Sequence, residues 1–220
     1  MDIAERICQI KSELPENVRL LAVSKFHSES VIMEAYRAGQ RIFGENRVQE
    51  LLPKFDRLPK DIEWHFIGHL QANKVKYITP FIGTIQSIDS LKLAETVNKE
   101  AGKCKRKIRV LLQIHIAQEE QKFGFSYDEA EDLFNGDVLR SMTNLDPAGL
   151  MGMATLTDNR TQIRSEFHRL HCFFQRIKND FFAKNDSFNE LSIGMSDDYP
   201  IAVEEGSTMI RIGSKLFGSR

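Results

Sequence analysis

The sequence predicts a single (β/α)₈ barrel of the TIM type, an α/β fold in which parallel strands alternate with helices. First, about eight short apolar runs are each followed by an amphipathic stretch or a helical turn, and this alternation indicates a mainly parallel sheet. Second, the length of 220 residues lies near the lower end for this barrel. Third, the loop after the first strand, "SKFHSES", lacks the glycine-rich phosphate motif that an open doubly wound sheet predicts.

The strands are predicted from short runs of Val, Ile, Leu and Phe, which favour buried β-structure. The clearest run is "KIRVLLQIHI", and the run at 148–154 is weaker. In chain order, the predicted strands are 18–24, 41–43, 62–67, 81–88, 107–116, 148–154, 190–194 and 208–212.

Helices are predicted between these strands from periodic apolar positions and from residues typical of helix ends. In the longest, apolar side chains from Ile163 to Phe181 recur in steps of three and four. Asp89 is the expected N-cap of the helix "SLKLAETVNKEAG", which Gly102 ends, and Pro53 is an expected point of interruption. The predicted helices are 28–38, 45–57, 69–77, 90–102, 127–140, 161–182 and 196–205.

Composition and charge exclude several classes of function. The formal net charge of −1 gives no bulk attraction to nucleic acid or to acidic membranes. No apolar run is long enough to cross a bilayer and no signal peptide is recognised, so we expect a cytoplasmic protein. Cys8, Cys104 and Cys172 lie far apart and form no CxxC pair, which argues against a disulfide framework or a metal site. We expect residues 1–220 to form one domain and a monomer.

Polar and glycine residues stand at nearly every predicted strand end, which is where a barrel gathers its active site. "GMSDD" after strand seven places Ser196 at the start of one helix, and "RIGS" after strand eight places Gly213 and Ser214 at the next. Barrels often bind phosphate with these two loops, because glycine lets the backbone approach and free N–H groups hold a dianion. The alternative is that Ser196 and Ser214 are ordinary N-caps.

Two cationic residues are expected to face the same mouth. Strand alternation places Lys25 on the face of Val23, and Arg211 on the face of Gly213. Lysine is the residue that forms Schiff bases, and a guanidinium could meet a ring nitrogen or a carboxylate. The alternatives are a solvated lysine at a strand end and a salt bridge from Arg211 to Glu204 or Glu205.

A Schiff-base lysine beside a phosphate site suggests pyridoxal 5′-phosphate (PLP), which joins an aldehyde to a phosphate. A sugar-phosphate aldolase would fit the same pair of features, but it needs an acid/base group beside the lysine. The strand ends offer Glu45 and Asp89, and both also suit the N-terminal ends of helices. The residues alone leave these two chemistries open.

The motifs "LLAVSKF", "FGENRVQELLPK", "WHFIGHLQANK", "SIDSLKLAE" and "LSIGMSDDYPIAVEEGSTMIRIGSKLFGSR" resemble the PLP homeostasis protein family, also called the YggS/PROSC family. The resemblance runs from about residue 18 to the C-terminus. It implies a barrel like the N-terminal domain of alanine racemase, with PLP held as a Schiff base on Lys25. The implied PLP-binding residues are Lys25, Asn46, His65, Ser192, Ser196, Arg211, Gly213 and Ser214, with Arg211 facing the pyridine nitrogen and Ser196, Gly213 and Ser214 at the phosphate.

The sequence departs from the family pattern in places. Phe26 stands where threonine is usual, Ala72 replaces a frequent serine, and His115 of "IHI" replaces the amide of the common "VNI". His115 either forms a structural hydrogen bond, which we favour, or tunes the cofactor ring. The loop "QEEQKFGF" approaches the family's Lys-x-Gly pattern through Lys122 and Gly124.

The expected function is PLP homeostasis, meaning the buffering and supply of PLP, without efficient catalysis. Arginine at the pyridine nitrogen disfavours a protonated ring and so weakens the electron sink. Alanine racemase adds a catalytic tyrosine from a second domain, and we expect no such domain here because the chain ends soon after the last motif. One alternative is a weak PLP-dependent amino-acid racemase that uses Lys25 as a base. Another is a module that delivers PLP to apo-enzymes by direct contact through an exposed apolar patch near the mouth.

Overall fold

Eight parallel strands pair in chain order into a closed barrel, and the last strand pairs with the first. The structure is a computed structural model and describes residues 1–118 and 123–218. The prediction of a (β/α)₈ barrel is therefore confirmed. The strands are β1 (Arg19–Val23), β2 (Ile42–Glu45), β3 (Glu63–Phe66), β4 (Thr84–Ile88), β5 (Ile108–Ile114), β6 (Leu145–Gly152), β7 (Glu190–Ser192) and β8 (Met209–Ile212).

Helices follow the strands and surround the barrel. A single 3-10 turn, Ala72–Lys74, leads into the fourth of them. The helices are α1 (Ile3–Glu13), α2 (Glu29–Arg37), α3 (Val48–Arg57), α4 (Val75–Ile78), α5 (Leu91–Lys103), α6 (Tyr127–Asn135), α7 (Asp137–Ser141), α8 (Arg160–Phe181), α9 (Tyr199–Glu204) and α10 (Ser214–Phe217).

Helix α1 precedes the barrel and is absent from the sequence-based predictions. The Asp2 carboxylate accepts from the backbone N–H of Glu5, and the Glu5 carboxylate accepts from the backbone N–H of Asp2, which completes a capping box. Ile7 and Ile10 are buried on its inner face. This helix anchors the start of the chain before β1.

Several predicted helix starts are wrong. The helix predicted over 45–57 begins at Val48, because Glu45 still belongs to β2. The helix predicted over 69–77 is a 3-10 turn followed by α4, which begins at Val75.

The starts of two further helices also differ from the prediction. The N-cap of α5 is Ser90, whose hydroxyl accepts from the backbone N–H of Leu93, and not Asp89. Asp89 instead bonds the ring of His69 at 2.8 Å, because its carboxylate gains a partner from the preceding loop. Helix α9 begins at Tyr199 rather than at residue 196, so Ser196 lies in the loop before it.

Two helix interiors also differ from expectation. Pro53 does not interrupt α3, which continues through it to Arg57. Proline has no backbone N–H, so the carbonyl of Gln49 lacks the hydrogen bond that residue 53 would otherwise donate. Gln49 is exposed to solvent. The predicted helix over 127–140 is divided at Gly136, which takes an extended conformation between α6 and α7.

Alternating strand residues divide the core into two parts. One set packs outward against the helices and is apolar, as Leu20, Trp64 and Ile210 illustrate. The other set turns into the barrel and includes the buried polar side chains of His65 and Arg211. The interior of this barrel is therefore partly polar, and its polar groups lie below the mouth.

An ion-pair network closes the amino-terminal end of the barrel. The carboxylate of Glu190 on β7 is 2% exposed and lies 2.7 Å from Arg19 of β1 and 3.1 Å from Arg109 of β5. Arg19 also lies 3.9 Å from Glu63 of β3. Since these residues come from strands around the whole barrel, the network joins its opposite sides.

Candidate functional site

An open cavity of about 370 Å³ lies at the carboxyl ends of the strands. Six of the eight predicted site residues line it: Lys25, Asn46, Ser196, Arg211, Gly213 and Ser214. The remaining lining residues are Val23, His27, Ile67, Met153, Met195, Asp197 and Gly218. The other two predicted residues, His65 and Ser192, are fully buried inside the barrel and are not among the lining residues.

Lys25 occupies a turn whose backbone is held on both sides. The ammonium of Lys54 donates to the carbonyl of Ser24 at 2.9 Å, and the backbone N–H of Phe26 donates to the carboxylate of Glu50 at 2.7 Å. Phe26 has φ of 67°, a left-handed conformation that non-glycine residues adopt only when their surroundings impose it. The turn therefore fixes the point from which the Lys25 side chain extends to the cavity.

A buried ion pair supports this turn from below. Glu45 accepts from the Ser24 hydroxyl at 2.6 Å and from Lys54 at 2.7 Å. Burial raises the pKa of Glu45, and the charge of Lys54 opposes that rise. Glu45 does not line the cavity, and neither does Asp89, which is bonded to His69. The two carboxylates that an aldolase would need beside Lys25 are therefore engaged elsewhere.

Arg211 is buried between β7 and β6 at the edge of the cavity. Its Nη1 donates to the carbonyl and the hydroxyl oxygen of Ser192 at 2.7 and 2.8 Å, and its Nη2 donates to the carbonyl of Gly152 at 2.9 Å. A guanidinium has five N–H donors. Three are used here, so two have no acceptor within residues 1–118 and 123–218.

Arg211 keeps its positive charge at neutral pH. Burial lowers its pKa to about 10, and the nearby carboxylate of Asp198 opposes the fall. The alternative salt bridge does not form, because Glu204 and Glu205 both pair with Arg164 on the outside of the barrel. The charge of Arg211 therefore remains available to the cavity.

Neither Ser196 nor Ser214 is a capping residue, so the N-cap alternative is wrong for both. The N-cap of α9 is Asp198, and the N-cap of α10 is Gly213. The carboxylate of Asp198 accepts the backbone N–H of Met195 at 2.5 Å, which shapes the loop that presents Ser196. The hydroxyls of Ser196 and Ser214 form no hydrogen bond with other described residues, and both residues line the cavity.

Asn46 adds an unpaired polar atom to this lining. Its Oδ1 is buried and has no hydrogen-bond partner among the described residues. A buried amide oxygen without a partner costs free energy. The backbone of Asn46 is fixed by Gly68, where a Cβ would lie 2.4 Å from the Asn46 carbonyl oxygen. A ligand that donates a hydrogen bond would satisfy the amide.

Sequence reasoning missed several cavity residues. Met153 lies in "MGMAT" at the end of β6, and Met195 lies in "GMSDD" after β7, but a methionine side chain gives no signal of a chemical role. The ring of His27 packs against that of Phe217 in a tilted arrangement, with centroids 4.5 Å apart, and no local pattern predicts a contact between positions so far apart in the chain.

The departures from the family pattern lie mostly outside the cavity. His115 lines a different cavity, together with Tyr127 and Arg169. Lys122 lies outside the described residues. Within the described part of the chain, no group of three or more His, Cys, Asp and Glu side chains is arranged to hold a metal ion. No described helix is both long and apolar enough to span a membrane.

The fold and this cavity define a class of barrel that carries a lysine after its first strand and an arginine on its last. A family model described as the N-terminal domain of alanine racemase matches residues 2–220. The chain belongs to the pyridoxal phosphate homeostasis protein family. It is 37% identical to the pyridoxal phosphate homeostasis protein of Haemophilus influenzae over 98% of this chain and 91% of that one. Its identity to the Escherichia coli homologue is 33%, over 100% and 97%.

Solved structures support the same relationship. PipY of Synechococcus elongatus is 37% identical and covers 99% of this chain and 100% of its own, with TM-scores of 0.92 for the structure without PLP and 0.88 for the one with PLP bound. An alanine racemase of Clostridium difficile has a TM-score of 0.77 at 14% identity and is matched over 56% of its length. The likeness to the racemase extends to the fold alone.

Proposed function

We propose that this protein binds PLP as a Schiff base on Lys25 and serves in PLP homeostasis by buffering and supplying the cofactor. One observation carries the proposal. A single cavity brings together an amine, a buried guanidinium with two uncommitted N–H donors, and two hydroxyls without partners. These groups match the aldehyde, the pyridine nitrogen and the phosphate of PLP. The PLP-bound structure of the PipY relative supports the same ligand.

Each cavity residue has a distinct role in this proposal. The Lys25 amine would hold PLP through its aldehyde, as a Schiff base. Arg211 would donate to the pyridine nitrogen, and the hydroxyls of Ser196 and Ser214, beside Gly213, would bind the phosphate. Asn46 supplies an acceptor near the ring. His65 and Ser192 act from inside the barrel, through the groups that line the cavity.

We propose a carrier rather than an efficient enzyme. PLP supplies an electron sink to enzymes that activate amino acids, and an arginine that only donates keeps the ring nitrogen unprotonated and the sink weak. No tyrosine lines the described part of the cavity. Burial raises the pKa of Tyr199 to about 12, and its hydroxyl donates to Glu13 at 2.7 Å, so it is no base at neutral pH. A weak amino-acid racemase with Lys25 as base is the alternative, and deuterium exchange at the α-carbon tests it.

A second candidate function is delivery of PLP to apo-enzymes by direct contact. Four exposed large apolar side chains stand on loops at the mouth: Phe26, Phe123, Leu156 and Met195. Exposed apolar side chains at one site are typical of a protein-binding surface. The partners would be apo forms of PLP-dependent enzymes.

The proposal also covers the domain organisation, the oligomeric state and the cellular compartment of the protein. We propose that residues 1–220 act as one domain and as a monomer, which size-exclusion chromatography with light scattering tests. Cys8, Cys104 and Cys172 are all free, as is typical of proteins in a reducing compartment such as the cytoplasm.

The visible absorption spectrum of the purified protein tests the proposed linkage. We expect a yellow protein whose chromophore is trapped by borohydride on the peptide that contains Lys25. Lys25→Ala removes the trapped adduct, whereas Lys92→Ala, at an exposed lysine of α5, retains it. A protein that stays colourless after addition of PLP would contradict the proposal.

A further inference from the structure

A continuous row of hydrogen bonds crosses the barrel interior from Arg211 to Glu63. Arg211 donates to the Ser192 hydroxyl at 2.8 Å, and that hydroxyl donates to Oε1 of Gln86 at 2.7 Å. Nε2 of Gln86 lies 2.7 Å from Nδ1 of His65, and Nε2 of His65 lies 2.7 Å from a carboxylate oxygen of Glu63. We call these five residues the interior relay.

The two ends of the interior relay fix the direction of every bond within it. Arginine can only donate, so the Ser192 oxygen is the acceptor at the first bond and its proton points to Gln86. The amide oxygen of Gln86 must receive that proton, which leaves the amide NH₂ facing Nδ1 of His65. Nδ1 is therefore unprotonated, and the proton of the neutral ring is on Nε2, where it is donated to the Glu63 carboxylate.

Both amide protons of Gln86 are engaged within the barrel. Its second amide proton is directed at the sulfur of Met209, with 3.1 Å between the two heavy atoms. Gln86, Ser192 and His65 are all fully buried, and the side chain of Arg211 is nearly so. An unpaired polar group in such a setting would be costly, so the bonds of the row hold Ser192, Gln86 and His65 each in one orientation.

We infer that Gln86 is a positioning residue for Arg211, acting through Ser192, and that His65 in its Nε2–H form holds Gln86 in the required orientation. The relay keeps both protons of Arg211 Nη1 on Ser192, so that the uncommitted donors are presented to the cavity. The inference rests on the proposed function, since it assigns the ligand of those donors as the pyridine nitrogen of PLP.

The first test uses the full-length protein without PLP, so its outcome does not depend on cofactor binding. Nitrogen-15 NMR of the His65 ring reports which nitrogen carries the proton. We expect Nδ1 unprotonated and Nε2 protonated at neutral pH. Protonation at Nδ1 would overturn the inference.

A matched pair of variants then interrupts the relay. Gln86→Met keeps the length of the side chain and removes its hydrogen bonds. Thr84→Val, on the same strand, removes a buried hydroxyl that has no partner among the described residues. We expect Gln86→Met, and not Thr84→Val, to shift the guanidinium NMR signals of Arg211 in the protein without PLP. Unchanged Arg211 signals would overturn the inference.

If Gln86→Met fails to fold, Ser192→Ala interrupts the same row with a smaller change, and the shift is then sought in the NMR signals of the His65 ring.

The second test measures PLP binding by the folded variants. If Gln86→Met misplaces the Arg211 guanidinium, the loss of its hydrogen bond to the pyridine nitrogen predicts about a tenfold weaker Kd and a displaced absorption maximum of the bound cofactor. Thr84→Val is expected to match the wild type in both. Equal affinity and an equal spectrum for Gln86→Met would overturn the inference. Absence of PLP binding by the wild type would instead contradict the proposed function, and the NMR tests would still decide whether the relay exists.

Discussion

Lys54 and Glu45 form the buried ion pair beneath the turn that carries Lys25. Lys54 donates both to the Ser24 carbonyl and to Glu45, and its side chain is 9% exposed. Removing one partner of a buried pair leaves the other charge without compensation, and this costs more than the pair contributes.

Replacement of this lysine should destabilise the fold in a pH-dependent way. We expect Lys54→Met to lower the free energy of unfolding by about 3 kcal/mol near neutral pH. Loss of the Lys54 charge lets the pKa of Glu45 rise further above its unfolded value. A carboxyl with a raised folded pKa contributes stability below its unfolded pKa and loses that contribution as the pH rises through the folded value. The deficit should therefore be larger at about pH 8 than at about pH 5.

Urea denaturation at both pH values measures this effect. Lys92→Met, at an exposed lysine of α5, is the matched control and should change the unfolding free energy little at either pH. An equal deficit at both pH values for Lys54→Met would show that the Glu45 charge is not involved.

The pairing of β6 with β7 depends on a close backbone approach at Gly149. Gly149 has φ of 154°, and a Cβ built there would lie 1.7 Å from the carbonyl oxygen of Glu190. The same two residues are partners in the register of these strands. A side chain at this position would force the strands apart beside Arg211.

Gly149→Ala is therefore expected to destabilise the barrel by about 3 kcal/mol or more, or to prevent folding. Gly39→Ala is the control, because Gly39 also has a positive φ of 86° but no atom lies within 4 Å of its added Cβ. We expect that variant to lose only about 1 kcal/mol. Thermal unfolding of both variants checks the contrast, and similar losses would contradict the steric argument.

The helices and strands that could be predicted from local sequence are those whose apolar residues repeat at a regular spacing or whose ends are clearly marked. Helix α8 matches its prediction within one residue at each end because its apolar side chains repeat without interruption. Helix α1 carries a similar pattern through Ile3, Ile7 and Ile10, but a barrel that begins with a strand does not require it. The predicted strand 148–154 misses the start of β6, because Asp146 and Pro147 separate Leu145 from the apolar run that follows.

The site was predictable where it lies at strand ends and unpredictable where it crosses the barrel. Lys25 lies just after the apolar strand β1, and Arg211 lies within the apolar strand β8. A charged side chain is unusual at such positions, so the sequence alone singles out both residues. The contact between Gln86 and Ser192 joins positions 106 residues apart, and it depends on the closure of the barrel and the tilt of its strands. No local pattern in either strand carries that information.

At the scale of the whole molecule, the proposed delivery of PLP by direct contact would use the exposed apolar side chains at the mouth. We expect Leu156→Glu to slow the reactivation of an apo-enzyme by the loaded protein, because a charge opposes burial at an apolar contact. Leu156 is 91% exposed, so the substitution should leave the fold and the PLP affinity unchanged.

Reactivation is measured with a scavenger of free PLP present, so that only direct transfer is counted. Val138→Glu, at an exposed position on α7, is the control and should transfer PLP at the wild-type rate. Equal rates for both variants would favour release of PLP into solution over delivery by contact.

The clamped turn around Lys25 has a consequence for the kinetics of exchange. Its backbone is held by hydrogen bonds with Lys54 and Glu50, so binding and release of a ligand in the cavity should require little reorganisation of the turn. Under the proposed function, the exit of PLP would then be limited by cleavage of its bond to Lys25 and by the access of water through the open mouth. On that proposal, the fraction of protein that carries PLP should follow the free PLP concentration without a gating step.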